Sequence, residues 1–575
     1  MLILGIHDGH TGTACLLNNG EILGMVSEER FTKTKNKGGF PMNAIKWLLS
    51  DNGIKGDEID SIAFPGYLTP ILEVNSHDRH RHKRISKLSK FIPNKIIMST
   101  SLTNSFIKSQ KKKREKLDDY NIEFNELELD KNKAEFIEHH TSHAATAYFL
   151  DWNYKFDRKI LVFTLDGSGD GLSATVSIGY KNKLERIKKI HSFNSLGMIY
   201  SRTTAFLGMK PLEHEYKLMG MAPYAPDFLS EKAYNVLNKY IKLDKTGLSF
   251  ENTSGLYGNA MLKKMKDDLF LQRFDGIAAG LQKITEELAT KWIFNWIKET
   301  GINEIAVAGG VFMNVKLNML LNESEKIKNI FFMPYCGDES IALGAALMVH
   351  VNKNGKHNCN IPNLDNLYFG QEYSNEYILN VLRKSNHFKF NKFDDINSEV
   401  VKLLANNKIV ARMHGRMEFG ARSLGNRSIL SNPKNYDIVS KINRAIKMRD
   451  FWMPFAPSIL KSGVEKYLIS KRNNIKAPFM IVGFETTELG REEIKAGIHQ
   501  SDFTCRPQIV EEKANPEYYD LLIKFEKKTG ISGVLNTSFN IHGYPIVNSP
   551  EEALWTMENS DLDALQIGDY LVTRE

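Results

Sequence analysis

Apolar residues arrive in short runs broken by polar turns from the start of the chain. "LILGI" and "TACLL" flank the turn-rich "HDGHTG", and "NNG" leads into "EILGMVSEE", so the pattern predicts three strands joined by tight connections. The same logic returns at 159–180: "KILVFTL" ends on Asp166, "GSGDG" makes the turn, and "LSATVSIGY" resumes the strand. The polar tip of such a hairpin can touch phosphate. Two of these hairpins in one chain mark a duplicated nucleotide-binding fold. A third piece, "EIAVAGGVFMNVKLN" (304–318), runs a buried strand into Gly309 and Gly310 and then a helix start. Backbone there can approach a ligand because no Cβ intervenes, and a helix start adds free N–H groups.

This order of strand, aspartate, glycine turn and strand, followed by strand, glycine pair and helix, resembles the actin/hexokinase-type ATPase fold. A polar stretch with turn signals reads as a linker at 356–375, between a first domain at 1–355 and a second at 376–575. Strands and helices alternate again in the second, so both are α/β.

With 575 residues, 42% hydrophobic and 25% charged, the chain can bury two cores, and its balance is that of a globular protein. No apolar run approaches the ~20 residues of a membrane span. The opening "MLILGIHDGH" lacks a basic leader and does not read as a signal peptide. Cys15, Cys336, Cys359 and Cys505 are scattered without a CxxC, which argues against disulfides and fits a reducing cytoplasm. The net charge of +8 is modest and partly local: "HDRHRHKRISKLSK" (77–90) and "KSQKKKREK" (108–116) lie in one insertion-like basic segment, 77–116. Such runs are usually solvated surface, so neither nucleic acid nor a membrane is expected as a partner.

His139 and His143 in "IEHHTSHAATAYF" stand at i, i+4, on one face if the alanines make this a helix. Such a pair either holds one transition metal with oxygen ligands from elsewhere, or lies on a solvated face. Asp166 and Asp338 are suitable hard ligands, or else turn and N-cap residues. His140 falls off that face and reads as structural. In the second domain, Arg416, Arg422 and Arg427 stand among glycines and small residues, followed by Lys447, Arg449 and Arg506. Guanidinium groups so placed suit planar binding of phosphate or carboxylate, the alternative being capping of carbonyls. "NTSFN" adds Asn536, Thr537, Ser538 and Asn540 as small donors.

"ILGIHDGHTGTACLL", "SEERFTKTKNKGGFP", "EHHTSHAATAYF", "LDGSGDG", "EHEYKLMGMAPY", "AGGVFMNVKLN", "GARSLGNRSIL", "MPFAPSIL", "RPQIV" and "LNTSFNIHGYPIV" occur in this order along nearly the whole chain. Together they resemble the O-carbamoyltransferases of the nodulation-factor, cephamycin and tobramycin biosynthetic type. The resemblance implies an actin/hexokinase-type N-terminal domain, similar to the ATPases of tRNA threonylcarbamoyladenosine synthesis, and a YrdC-like C-terminal α/β domain. It implies that carbamoyl phosphate and ATP give a carbamoyl-adenylate, from which a hydroxyl of a small acceptor, a natural product or sugar, takes the carbamoyl group. Iron is implied at His139, His143, Asp166 and Asp338, and Mg is expected with ATP. Nucleotide contacts are implied at Gly167, Gly169, Asp170, Glu215, Lys217, Gly309, Gly310 and Asn314. His10 falls where the family carries a histidine suited to act as general base. Arg422, Lys447, Arg506 and Ser538 match positions around carbamoyl phosphate and the adenylate. A homodimer is compatible with this resemblance.

The chain departs from the family pattern at Met453, where many relatives carry arginine, and at Ser340, where glycine is frequent. The basic segment 77–116 matches no family motif. Two other readings compete. A tRNA-modifying threonylcarbamoyl-transfer enzyme is kept open by that segment, but an arginine-rich second domain in the same chain argues against it. An ATP-driven switch of the actin type has no use for the histidine pair or the C-terminal arginines.

Overall fold

The computed structural model describes residues 1–68, 100–153, 156–355, 361, 363–385, 387–473 and 475–574. Most of the basic segment therefore lies outside the described residues. The chain forms two compact units, one of Met1–Glu28 and Lys37–Leu364, the other of Glu29–Asn36 and Asp365–Glu575.

The first unit contains two five-stranded sheets of one design. In the first, β1 (Leu2–His7), β2 (Thr13–Asn18) and β3 (Glu21–Ser27) form an antiparallel meander, and β4 (Ser61–Pro65) and β5 (Ala134–Ile137) continue in parallel from β1, in the order β3-β2-β1-β4-β5. The second repeats this with β6 (Ile160–Gly169), β7 (Leu172–Tyr180) and β8 (Lys183–His191). A small ribbon, β9 (Ile241–Leu243) and β10 (Phe250–Asn252), follows in the chain, and then β11 (Glu304–Ala308) and β12 (Asn329–Phe332) complete the order β12-β11-β6-β7-β8. The duplication expected from the two hairpins is present. The pairing of β6 with β7 is irregular between Leu165 and Gly169, which releases Asp166 from strict strand alternation.

Helix α1 (His139–Phe149) begins on Glu138, whose carboxylate accepts from Thr141 N at 2.8 Å and pairs with Arg186. Every residue of α1 except Thr141 is buried, so the histidine pair does not lie on a wet face. Its Ala and Ser positions allow a second helix, α2 (Ile341–Asn354), to pack closely. A Cβ on Gly344 of α2 would stand 1.9 Å from the Ser142 carbonyl oxygen.

The second unit is built on a mixed eight-stranded sheet: Phe388–Lys392, Tyr570–Arg574, Ala564–Ile567, Val410–Met413, Arg427–Ser431, Gly533–Ser538, Ala456–Leu460 and Gln508–Val510, in that spatial order. Ile429, Leu535 and Leu565 lie in its fully buried core. Two features differ from the sequence reading. In the stretch read as a linker, Leu367 O accepts from Phe419 N at 2.7 Å and Gly370 N donates to Met417 O at 2.9 Å, so this piece belongs to the second unit. Glu29–Asn36 also belongs to it, tied by buried Arg30 donating to Gly420 O at 2.8 Å. Backbone pairing across such sequence distances leaves no periodic trace.

Gly344→Ala should destabilise the protein. The cost of overpacking, about 1–3 kcal/mol, exceeds the ~1 kcal/mol that alanine ordinarily gains over glycine in a helix. A lowered midpoint in urea unfolding is expected; an unchanged or raised one would show that the two helices do not meet there.

Candidate metal centre and anion pocket

The start of α1, the end of β6 and the turn before α2 bring four ligand groups together. His139, His143, Asp166 and Asp338 each offer an atom, all within 4.8 Å of one another. His139 Nε2 lies 3.3 Å from Asp166 Oδ2 and 3.6 Å from Asp338 Oδ1, and His143 Nε2 lies 3.2 Å from that same Oδ1. Gly310 N donates to Asp166 Oδ1 at 3.1 Å and holds the carboxylate in place. His140 turns away, its Nδ1 2.7 Å from Thr164 Oγ1, in keeping with a structural role.

Two carboxylates this close repel, and burial adds to the cost of their charge. Burial alone would lower His139, but the Asp338 carboxylate and the hydrogen bond and charge of Asp166 override it and lift the imidazole to about 10. Burial and Asp338 push Asp166 up, yet the hydrogen bond from His139 and the nearby imidazoles pull it below the usual range. The cluster thus calls for positive charge. Two imidazole nitrogens and two carboxylate oxygens are a donor set that a divalent transition metal fits.

The residues expected around a nucleotide divide into two kinds. The Asp170 carboxylate accepts N–H groups from Tyr67 at 2.8 Å, Leu68 at 3.0 Å and His139 at 2.9 Å, so it fixes the start of α1. Asn314 caps helix Val315–Asn322, accepting from Leu317 N at 3.0 Å, and its amide exchanges hydrogen bonds with Gln282. The side chains of both are occupied by the scaffold. A Cβ on Gly169 would stand 2.0 Å from the His139 ring. Gly309, at φ 101°, is pressed against the Leu165 backbone, and Gly310 sits beside Asp166. Gly167 has open space where a Cβ would point. On the short helix Glu215–Met221, Glu215 accepts from Leu212 N at 2.7 Å and is raised by burial, while Lys217 is half-buried. The serine at 340 is accommodated, its hydroxyl donating to Gly337 O at 2.9 Å. His10 is 37% exposed, with Nδ1 3.6 Å from Asp338 Oδ2.

In the second unit the arginines divide as well. Arg427 is fully buried and donates to the carbonyls of Gly415, Asn426 and Gln371, and Arg416 donates to Phe369 O. Both make the carbonyl contacts of the capping alternative. Arg506 is different. Burial and the charges of Arg422 and Arg449 hold its guanidinium well below the usual range, and among the described residues it makes no ion pair. Arg449 Nη2 donates to Thr537 Oγ1 at 3.1 Å. Buried Lys447, depressed by burial and by Arg449 and Lys35, donates to Ser538 O at 2.5 Å and Asn540 Oδ1 at 2.6 Å, holding the turn that carries Ser538.

Sequence reasoning missed several of these residues. Lys35 is brought to this cluster by the Glu29–Asn36 segment. Glu138 and Arg186 set the entry of α1; the acidic residue just before the histidine pair was the available signal for Glu138. Arg114, in the run 108–116 read as solvated, is buried with Nη2 2.6 Å from Asp8 Oδ1, because a single inward residue in a charged run looks like its neighbours.

Comparison with known proteins places the chain in a family. The carbamoyltransferase N-terminus family model matches residues 2–347, and the carbamoyltransferase C-terminus model matches 401–574. An uncharacterized protein of Methanocaldococcus jannaschii is 34% identical over 100% of both chains. Nodulation protein NolNO of Sinorhizobium fredii is 30% identical over 98% of this chain and 79% of its own length, and nodulation protein NolO of Bradyrhizobium diazoefficiens is 33% identical over 76% and 79%. No described helix is long and apolar enough to cross a membrane. The chain belongs to the carbamoyltransferase family and is a transferase.

Proposed function

We propose that the protein activates carbamoyl phosphate with ATP and transfers the carbamoyl group to a hydroxyl of a small molecule, a natural product or sugar. The observation that carries this reading is Arg506, half-buried, held below its usual range by Arg422 and Arg449, and without an ion pair among the described residues. Guanidinium groups held together against their own repulsion are stabilised by a polyanion. Carbamoyl phosphate and the ATP phosphates are such anions.

In the first stage water splits carbamoyl phosphate into carbamate and phosphate, and a carbamate oxygen then bonds to the α-phosphorus of ATP as pyrophosphate departs, leaving a carbamoyl-adenylate. Arg422 and Arg506 neutralise phosphate charge as it develops, and Lys447 positions Ser538. The adenylate makes a poor electrophile reactive by giving it a phosphate leaving group. In the second stage the acceptor oxygen bonds to the carbamoyl carbon, AMP departs with the electrons of the broken bond, and the hydroxyl proton passes to water. His139, His143, Asp166 and Asp338 would hold a divalent metal, expected to be iron, that supplies charge stabilisation and orientation for phosphate and acceptor. Gly167 leaves space beside the backbone for nucleotide, while Gly309 and Gly310 hold Asp166 and the end of β6.

With carbamoyl phosphate, ATP and a panel of hydroxylated acceptors, the expected products are AMP, pyrophosphate and a carbamoylated acceptor, seen by mass spectrometry. ADP with phosphate would point to a switch, and carbamoylated RNA to tRNA modification. Arg506→Ala should slow pyrophosphate release about 10–100-fold, the worth of a charged hydrogen bond. Because its charge is repelled in the folded protein, the same change should leave the thermal midpoint unaltered or raise it. A normal rate would remove Arg506 from the mechanism. His139→Ala combined with His143→Ala should abolish bound metal on elemental analysis and transfer with it; full metal content would refute the ligand assignment.

A further inference from the structure

A second ligand set lies beside the first, in the opening hairpin. His7 closes β1 with 4% of its surface exposed, and neither ring nitrogen has a hydrogen-bond partner. A buried imidazole with both nitrogens unsatisfied is costly and marks a missing partner. The His10 ring stands edge-on to it, centroids 6.3 Å apart. One atom each from His7, His10 and Asp338 lies within 4.8 Å of the others. Asp8, between the two histidines, is already engaged by Arg114 and Tyr120, each at 2.6 Å, and takes no part.

The decisive geometry is at Asp338. Its Oδ1 faces His143 at 3.2 Å and His139 at 3.6 Å, while its Oδ2 faces His10 Nδ1 at 3.6 Å. A carboxylate offering one oxygen to each of two ligand sets is a bridge, and ions in two-metal sites stand about 3.5–4 Å apart. We propose that His7, His10 and Asp338 hold a second divalent transition-metal ion, joined through Asp338 to the ion of the His139–His143–Asp166 set. The inference rests on that first set being a metal centre. Imidazole and carboxylate donors suit Mn²⁺, Fe²⁺ or Zn²⁺. With Nδ1 on a cation, Nε2 of His10 keeps its hydrogen, so His10 acts as a ligand and not as the base the resemblance implies.

The full chain, stripped with chelator and reloaded with Mn²⁺, provides the test. Two bound Mn²⁺ per chain with an exchange-coupled paramagnetic resonance signal are expected, falling to one uncoupled ion in His7→Gln and in His10→Ala. His10 is exposed enough that its variant keeps the fold even where His7→Gln does not. One ion in the unaltered protein, or two retained by His10→Ala, overturns the second site and leaves the first standing. No bound Mn²⁺ overturns both.

Discussion

Asp338 is a half-buried carboxylate facing Asp166 across a set of imidazoles, and the first unit is built around keeping it there. Two acids at this distance are stable only with positive charge between them, supplied by protons on the histidines or by a cation. The scaffold concentrates its special residues on that requirement. Gly344 lets α2 approach α1, Glu138 and Arg186 fix where α1 begins, Asp170 ties that start to the residues after β4, and Gly310 orients Asp166. These are packing and backbone devices, and their shared effect is to aim imidazoles at carboxylates.

The second unit has the opposite electrostatic arrangement. Some of its buried cations are satisfied by carbonyls, as at Arg427, and contribute to the core. Arg506 is instead held below its usual range by burial, Arg422 and Arg449, and Lys447 by burial, Arg449 and Lys35. The first unit thus gathers acids that call for a cation, and the second gathers cations without matching acids around Arg506 among the described residues.

Legibility followed the range of the interaction. Strand spacing revealed both hairpins, and the common order of the two five-stranded sheets is the duplication that spacing implies. Spacing of four on a helix put His139 and His143 on one side, but whether that side was wet depended on neighbours far along the chain. Asp170 and Asn314 sit inside motifs suggestive of nucleotide, yet their side chains serve nearby backbone and Gln282, because a carboxylate or amide beside free N–H groups is captured by them first.

The sequence by itself determined the α/β class, the paired hairpins, the family and the residue types able to hold metal and phosphate, since these follow from local periodicity and ordered motifs. Tertiary structure alone decided which arginines cap carbonyls and which repel one another, the placement of Lys35 with Lys447, and the two-sided exposure of Asp338 to His143 and His10. Charge acts through space, so its consequences appear only once distant residues are brought within a few ångströms.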